Sequence, residues 1–261
     1  MKQLFSTLAL LLVAHLGLLA QTQMHVTLKD GTTHDFAVAD VKQITFDDKT
    51  TPPAEAKHQA VDLGLPSGVK WATCNIGASK PEDHGDYFAW GETEPNRKNH
   101  VDKYNSWAIY KWCKGTETSM TKYCAQSAYG KKDGKTTLEA SDDAATQLWG
   151  KSWRMPTRDD ITELIKKCKW TKTKLNGVKG FEVKGPNGKT IFLPMAGLFS
   201  DEDDYSIVHE GTDAYYYTSS LGQKYSNEAC YLYFEYEEGA TSGGVEEDWR
   251  FFQYSIRPVT K

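Results

Sequence analysis

Apolar and polar positions alternate near the start of the chain. Met24, Val26 and Leu28 are spaced two apart, and Lys29-Asp30-Gly31-Thr32 carries a turn signal. Phe36, Val38, Val41, Ile44 and Phe46 continue the apolar pattern, so residues 24–48 read as a small N-terminal β unit. Two strands alone are marginal in water, so this unit must pack on something or pair with a partner's strand. Residues 49–60 contain Pro52-Pro53, which forbids regular structure and marks a linker. From there to residue 261 the pattern belongs to one larger domain. Short apolar runs predict strands at 61–65, 69–74, 87–90 and 108–112, with Gly, Pro and Asn between them. Residues 91–137 are long, polar and aperiodic. Such a stretch is functional or ordered by its own contacts.

The period then changes from two to about 3.6. Ser141 can cap a first helix, with Asp142 and Asp143 in its first turn. Ala144/Leu148 and Ala145/Trp149 share a side, and Gly150 stops it. Thr157 caps a second helix, in which Ile161, Leu164, Ile165 and Cys168 form an apolar stripe. Asp159 and Asp160 sit at its positive end and Lys166, Lys167 and Lys169 at its negative end. Strands resume at 180–184 and 190–194 around Gly185-Pro186-Asn187-Gly188, and again at 215–219, 229–236 and 251–259. In the run 229–236, Cys230, Leu232, Phe234 and Tyr236 share one face; Tyr231, Tyr233 and Glu235 share the other. Two central helices with strands before and after predict an α+β fold.

The first twenty residues change the compartment. Lys2 precedes an apolar run from Leu8 to Leu19, broken by His15, and Ala20 follows. Residues 1–20 therefore read as a secretory signal peptide, too short for a stable membrane span. The mature protein is expected to be exported, to the cell surface, the periplasm or the extracellular space, with no membrane span. The charge of −4 lacks the basic excess of a dedicated nucleic-acid binder, so no nucleic-acid partner is expected. Export permits disulfides, but the five cysteines are an odd number. Cys113 and Cys124 flank a polar segment and form a possible disulfide; the alternative is five small hydrophobes in the core. No zinc site is expected, because no CxxC pair occurs and no His stands at ligand spacing.

Several phrases carry a resemblance. They are Val-Asp-Leu-Gly-Leu-Pro-Ser-Gly-Val-Lys-Trp-Ala-Thr-Cys (61–74), Gly-Asp-Tyr-Phe-Ala-Trp-Gly-Glu (85–92), Trp-Arg-Met-Pro-Thr (153–157), Ile-Phe-Leu-Pro-Met-Ala-Gly (191–197), Tyr-Tyr-Thr-Ser-Ser (216–220) and Ile-Arg-Pro-Val (256–259). Together they resemble the lectin-like "major paralogous domain" family of exported Bacteroidetes and Fibrobacter proteins. The resemblance implies a C-type-lectin-like fold, with two central helices packed on antiparallel sheets and long loops. The family usually has Trp-Ser-Ser where this chain has Tyr217-Thr218-Ser219-Ser220. The segment 143–157 with its following helix is also similar to the formylglycine-generating enzymes, which share that fold and work through cysteine and copper.

Candidate chemistry is sparse. Glu94-Pro95-Asn96 matches a sugar-binding triplet of calcium-dependent lectins, but it precedes both helices, so a simple turn is the better reading. Asp201-Glu202-Asp203-Asp204 is dense enough in oxygen ligands for calcium, yet lacks EF-hand spacing and reads as a solvated acidic loop. No histidine lies near a nucleophile motif, and no phosphate loop, HExxH or GxSxG occurs. No cofactor is expected. The aromatic residues remain, at 12% of the chain. Trp90, Trp107, Tyr110, Trp112, Tyr215 and Tyr216 are the candidates for stacking on a ligand, against the alternative that they fill the core. The expected function is a secreted, non-enzymatic binding module of the cell envelope, recognising a glycan or a cell-surface protein. The alternatives are a structural or adhesin subunit assembling through its N-terminal β unit, and an oxidase related to the formylglycine-generating enzymes.

Overall fold

The computed structural model describes residues 23–27, 32–38, 58–95, 107–200, 206–236 and 243–261 of the chain. The chain divides into two units, Met1–Ala56 and Lys57–Lys261. In the first, β1 (Gln23–Thr27) and β2 (Thr33–Ala37) form an antiparallel hairpin, with Gln23 opposite Ala37 and Thr27 opposite Thr33. His25 pairs with Asp35 across it. Phe36 and Val38 are 45% and 50% exposed. The expected signal peptide, the apolar positions 41, 44 and 46, and the prolines of the linker lie outside the described residues.

Among the described residues, the second unit has four small antiparallel sheets. In the first, β3 (Ala60–Asp62) and β16 (Val259–Thr260) flank β4 (Lys70–Ala72), and β6 (Trp153–Arg154) pairs with β16, so the two ends of the unit meet. The second orders β11 (Ser206–Val208), β10 (Leu198–Ser200), β15 (Gln253–Tyr254) and β5 (Phe88–Ala89). The third is the meander β7 (Lys169–Leu175), β8 (Val178–Lys184), β9 (Thr190–Pro194). The fourth is the meander β12 (Asp213–Leu221), β13 (Glu228–Glu235), β14 (Gly244–Trp249). Two helices accompany them, α1 (Ala144–Trp149) and α2 (Arg158–Lys167).

This corrects the expected fold class. Of the described residues 39% are strand and 11% helix, so the chain is mostly β and not an α+β lectin-like domain built around two central helices. The local reasons are plain. The carboxylate of Asp143, not Ser141, caps α1 by accepting from Thr146 N, and Gly150 ends it after six residues. In α2 the capping box forms as its sequence indicates, with Thr157 and Asp160 bonding reciprocally. The chain then turns at Cys168 directly into β7, which returns as β8 through Asn176 and Gly177, at φ 49° and 90°. Positive φ at both central residues is what a tight hairpin of this twist demands. The expected strand at 108–112 is a series of turns, and 251–259 contributes only β15 and β16.

One apolar cluster packs Ile161 and Leu164 of α2 against Trp71, Phe181, Leu193 and Phe234. A second gathers Phe88, Trp90, Tyr123, Ala145, Tyr217 and Tyr254. Two buried arginines tie loops to these clusters. Arg250 donates to Tyr110 Oη, to the Tyr123 and Ser226 carbonyls and to Lys122 O, at 2.9–3.1 Å. Arg257 donates to Asn75 Oδ1 and to the Ala72 and Thr73 carbonyls. The described residues of the aperiodic stretch before α1, 107–137, are thus held by Arg250 and by bonds of their own. There Asp133 accepts from the N–H groups of Tyr123, Cys124 and Lys135.

Candidate functional site

Strand alternation sorts the residues of β12, β13 and β14 onto two faces. Tyr216, Leu232 and Phe234 belong to the cluster that holds α2, and Cys230 shares their side. The opposite side carries Asp213, Tyr215 and Tyr217 from β12, Tyr231, Tyr233 and Glu235 from β13, and Glu246 and Asp248 from β14. The register places Tyr217 opposite Tyr231 and Tyr215 opposite Tyr233. The first pair is buried beside Tyr254; the second is half-buried at the open end of the face.

The rings on this side continue into a longer series. Tyr215 stacks on Tyr254 at 5.1 Å between centroids, Tyr254 on Phe252 at 6.2 Å, and Phe252 on Trp249 at 5.9 Å. Trp107 closes the series, edge-on to Phe251 at 4.8 Å and 6.3 Å from Trp249. Trp249 is 40% exposed, and Trp107, Phe252, Tyr215 and Tyr233 are half-buried. Rings in this state present a face or edge to solvent while their neighbours hold them in place, which suits stacking on a ligand.

Carboxylates border the rings. Tyr233 donates its hydroxyl to Glu235 at 2.6 Å and lies 3.3 Å from Asp213. His209 pairs with Asp213 at 3.0 Å. Burial, then the charges of Asp213, Glu235 and Asp248, push the Tyr215 hydroxyl up to about 12. Tyr231 and Tyr233 move in the same direction, chiefly through burial. Burial also lifts the Asp248 carboxyl above its ordinary range, and lifts Glu228 with help from Glu247 and Asp248. The face therefore combines neutral phenols with acceptor groups that prefer a hydroxyl, ammonium or guanidinium donor.

The six ligand-binding candidates divide. Trp107 and Tyr215 belong to this face. Trp90, Tyr110 and Tyr216 are core residues, 0%, 4% and 1% exposed, and their polar tips are spent on carbonyls: Trp90 on Thr218 O, Tyr110 on Trp90 O, Tyr216 on Pro194 O. They cannot stack on a ligand. Trp112 is half-buried, its Nε1 donates to Gly91 O, and Lys111 and Lys122 lie over its ring. Trp249, Phe252, Tyr233 and the carboxylates were not singled out as ligand-binding by the sequence, although Glu246-Glu247-Asp248-Trp249 is a visible signal.

The possible disulfide is corrected as well, since all five cysteines are free thiols. Cys113 Sγ donates to Trp107 O and Cys124 Sγ to Gln126 O, each satisfied within its own turn. Cys230 is fully buried, contacted by Arg158 Nη1 at 3.3 Å, and burial pushes its thiol up to about 11. Among the described residues no three His, Cys, Asp or Glu side chains gather as metal ligands. His58 stacks on Trp149, and His84 is half-buried beside Glu210. His100, Asn96 and the acidic run 201–204 lie outside the described residues. Comparison with protein-family models, curated proteins and solved structures finds no match to this chain.

Proposed function

We propose that this chain is an exported, non-enzymatic binding module of the cell envelope. Its recognition surface is the aromatic side of the β12–β13–β14 sheet with its acidic border, and its ligand is a glycan or a protein surface. The observation that carries the reading is the ring series from Trp107 through Trp249, Phe252, the buried Tyr254 and Tyr215 to Tyr233, part-exposed at every member but Tyr254 and edged by Asp213, Glu235, Glu246 and Asp248. Pyranose faces and aliphatic or cationic side chains both stack on such rings, and the carboxylates accept hydrogen bonds from hydroxyl or ammonium groups. The apolar leader at 1–20 and the motif resemblance to exported proteins support the compartment. The buried, protonated Cys230 weighs against oxidase chemistry, which needs a thiolate.

The test is an array of glycans and peptides probed with the whole mature chain, with and without calcium, and then with Trp249→Ala and Tyr233→Ala. A ligand lost with either substitution supports the reading. Turnover of a substrate, or a ligand indifferent to both substitutions, contradicts it. The exposure of Phe36 and Val38 on the β1–β2 hairpin favours a second reading, assembly through that hairpin. Deleting residues 24–48 separates the two: loss of assembly with binding intact supports the second.

A further inference from the structure

β14 is an edge strand, bonded to β13 on one side and to no strand on the other among the described residues. Such an edge offers alternate N–H and C=O groups to another extended chain. The sheet's other edge is taken: Tyr217 N donates to Ser255 O at 3.0 Å, and Ala214 bridges to Gly197. β14 is also acidic, with Glu246, Glu247 and Asp248 in succession.

The three carboxylates are not equivalent. Glu247, on the α2 side, is neutralised by Arg158 at 2.6 Å. Glu246 and Asp248, on the tyrosine side, are in no ion pair among the described residues. Gly244 stands opposite Tyr233 and has no side chain, and the Glu246 carboxylate lies over it, 3.3 Å from where a Cβ would stand, between the β14 edge and that ring. Charge on an edge strand deters chance pairing. That purpose needs any charge on either face; it does not require the charge to be uncompensated on the ring side alone.

We propose that the outer edge of β14 accepts an extended protein segment, carrying lysine or arginine at alternate positions, as a fourth strand of this sheet. The proposal rests on the aromatic side being the recognition surface. The segment's main chain pairs with β14, and its period of two sends every second side chain to the tyrosine side. There an ammonium or guanidinium meets Glu246, which lies over Gly244, and Asp248. The intervening side chains fall on the side where Arg158 already neutralises Glu247, so a cation gains nothing there. The preferred segment alternates basic and neutral residues and is not a continuous basic run.

The test uses a labelled peptide of alternating lysine and threonine, titrated into the whole chain and followed by fluorescence anisotropy. Two further peptides carry N-methyl groups on alternate residues, one set in each frame, with charge unchanged. Binding is expected for the parent peptide, and one methylated frame loses it while the other keeps it. Glu246→Gln with Asp248→Asn weakens binding at least about fivefold, and the folded state persists because both carboxylates lack a partner cation. A glutamate–threonine peptide does not bind. Equal binding by both methylated frames would reveal charge attraction without strand addition and overturn the proposal. So would a concentration-dependent dimer abolished by Asp248→Asn, which would put a second copy of the chain on this edge. A glycan that Trp249→Ala releases, with no binding of the lysine peptide, would sink the proposal and leave the recognition surface standing. Failure of every probe to respond to substitutions on this face would remove both.

Discussion

Tyr215 and Tyr233 stand directly opposite each other on β12 and β13, their ring centres 5.2 Å apart. A cross-strand aromatic pair fixes both rings more firmly than either strand alone. The hydrogen bond from the Tyr233 hydroxyl to Glu235 then sets where a carboxylate borders the pair. Tyr233→Phe keeps the ring and frees Glu235. Its melting temperature is expected to stay within about 4 °C of the parent, since one half-exposed hydrogen bond is worth about 1 kcal/mol. Tyr215→Ala removes the stacking partner, and should cost more stability and more affinity than Tyr233→Phe; the opposite order in melting and titration would refute the assigned roles.

Asp248 is predicted to reduce stability at neutral pH. Its folded carboxyl titrates above the unfolded one, so the folded state binds the proton more tightly. That stabilisation is complete below the unfolded pKa and is lost as pH rises through the folded one. Asp248→Asn retains an oxygen for the Trp249 N–H and should raise the urea midpoint, more at pH 8 than at pH 4. A lowered midpoint at pH 8 would show that the carboxylate is stabilising.

Asp160 has the opposite sign. Burial opposes its charge, but the Arg154 guanidinium and the Thr157 N–H outweigh burial and hold the carboxyl below its ordinary range. Its contribution is present above the unfolded pKa and is lost as pH falls through the folded one. Asp160→Asn should therefore cost stability at pH 7 and progressively less toward pH 2. Thr157→Ala, at the same cap, should cost about 1 kcal/mol. Urea melts of both variants across pH check the pair.

Arg250→Met should be among the most damaging single changes. It leaves the Tyr123, Ser226 and Lys122 carbonyls without a donor in a buried site, at about 1–3 kcal/mol for each group left unsatisfied. It also removes the cation held 4.8 Å from the Trp90 ring. A loss below about 1 kcal/mol in urea unfolding would mean that the loops hold without it.

The part of this fold that was legible in the sequence is the part set by local chemistry. Thr157 with Asp160 and the Ile161/Leu164 stripe gave α2; Gly185 to Gly188 gave the β8–β9 hairpin. The two faces of β13 were legible in part, because alternation depends on one strand only: Cys230, Leu232 and Phe234 are buried and Tyr233 and Glu235 half-buried, but Tyr231 on the second face is buried under Tyr254 and Tyr236 on the first is half-buried. The β7–β8 turn at Asn176-Gly177 carries an equally plain local signal, since Asn-Gly supplies the positive φ that a two-residue hairpin needs. Which aromatic residues reach solvent was not legible. Trp90 and Trp107 each follow a tyrosine by three residues, Tyr87 and Tyr104, and the fate of each ring is set by distant partners. Arg250 covers one ring, while the other stays half-buried, edge-on to the buried Phe251, and both partners come from more than a hundred residues away.

The free thiols give a simple check of the packing around the loop before α1. Denatured protein, kept without reductant, should titrate all five cysteines, and added reductant should leave the melting temperature unchanged. Cys230 should resist alkylation at neutral pH until the chain unfolds, because burial keeps it a protonated thiol. Rapid alkylation of Cys230 in the native state would reopen a catalytic role for it.

The most direct measurement is the affinity of the whole chain for the first ligand recovered from the array, compared across three alanine substitutions. Trp249→Ala and Tyr233→Ala lie on the ring series; Leu148→Ala removes a side chain that is 46% exposed on α1 and takes no part in it. The expected result is a loss of at least about tenfold for each of the first two, and less than about twofold for Leu148→Ala. Unchanged affinity in Trp249→Ala and Tyr233→Ala, with both variants folded, would contradict the assignment of this face as the recognition surface.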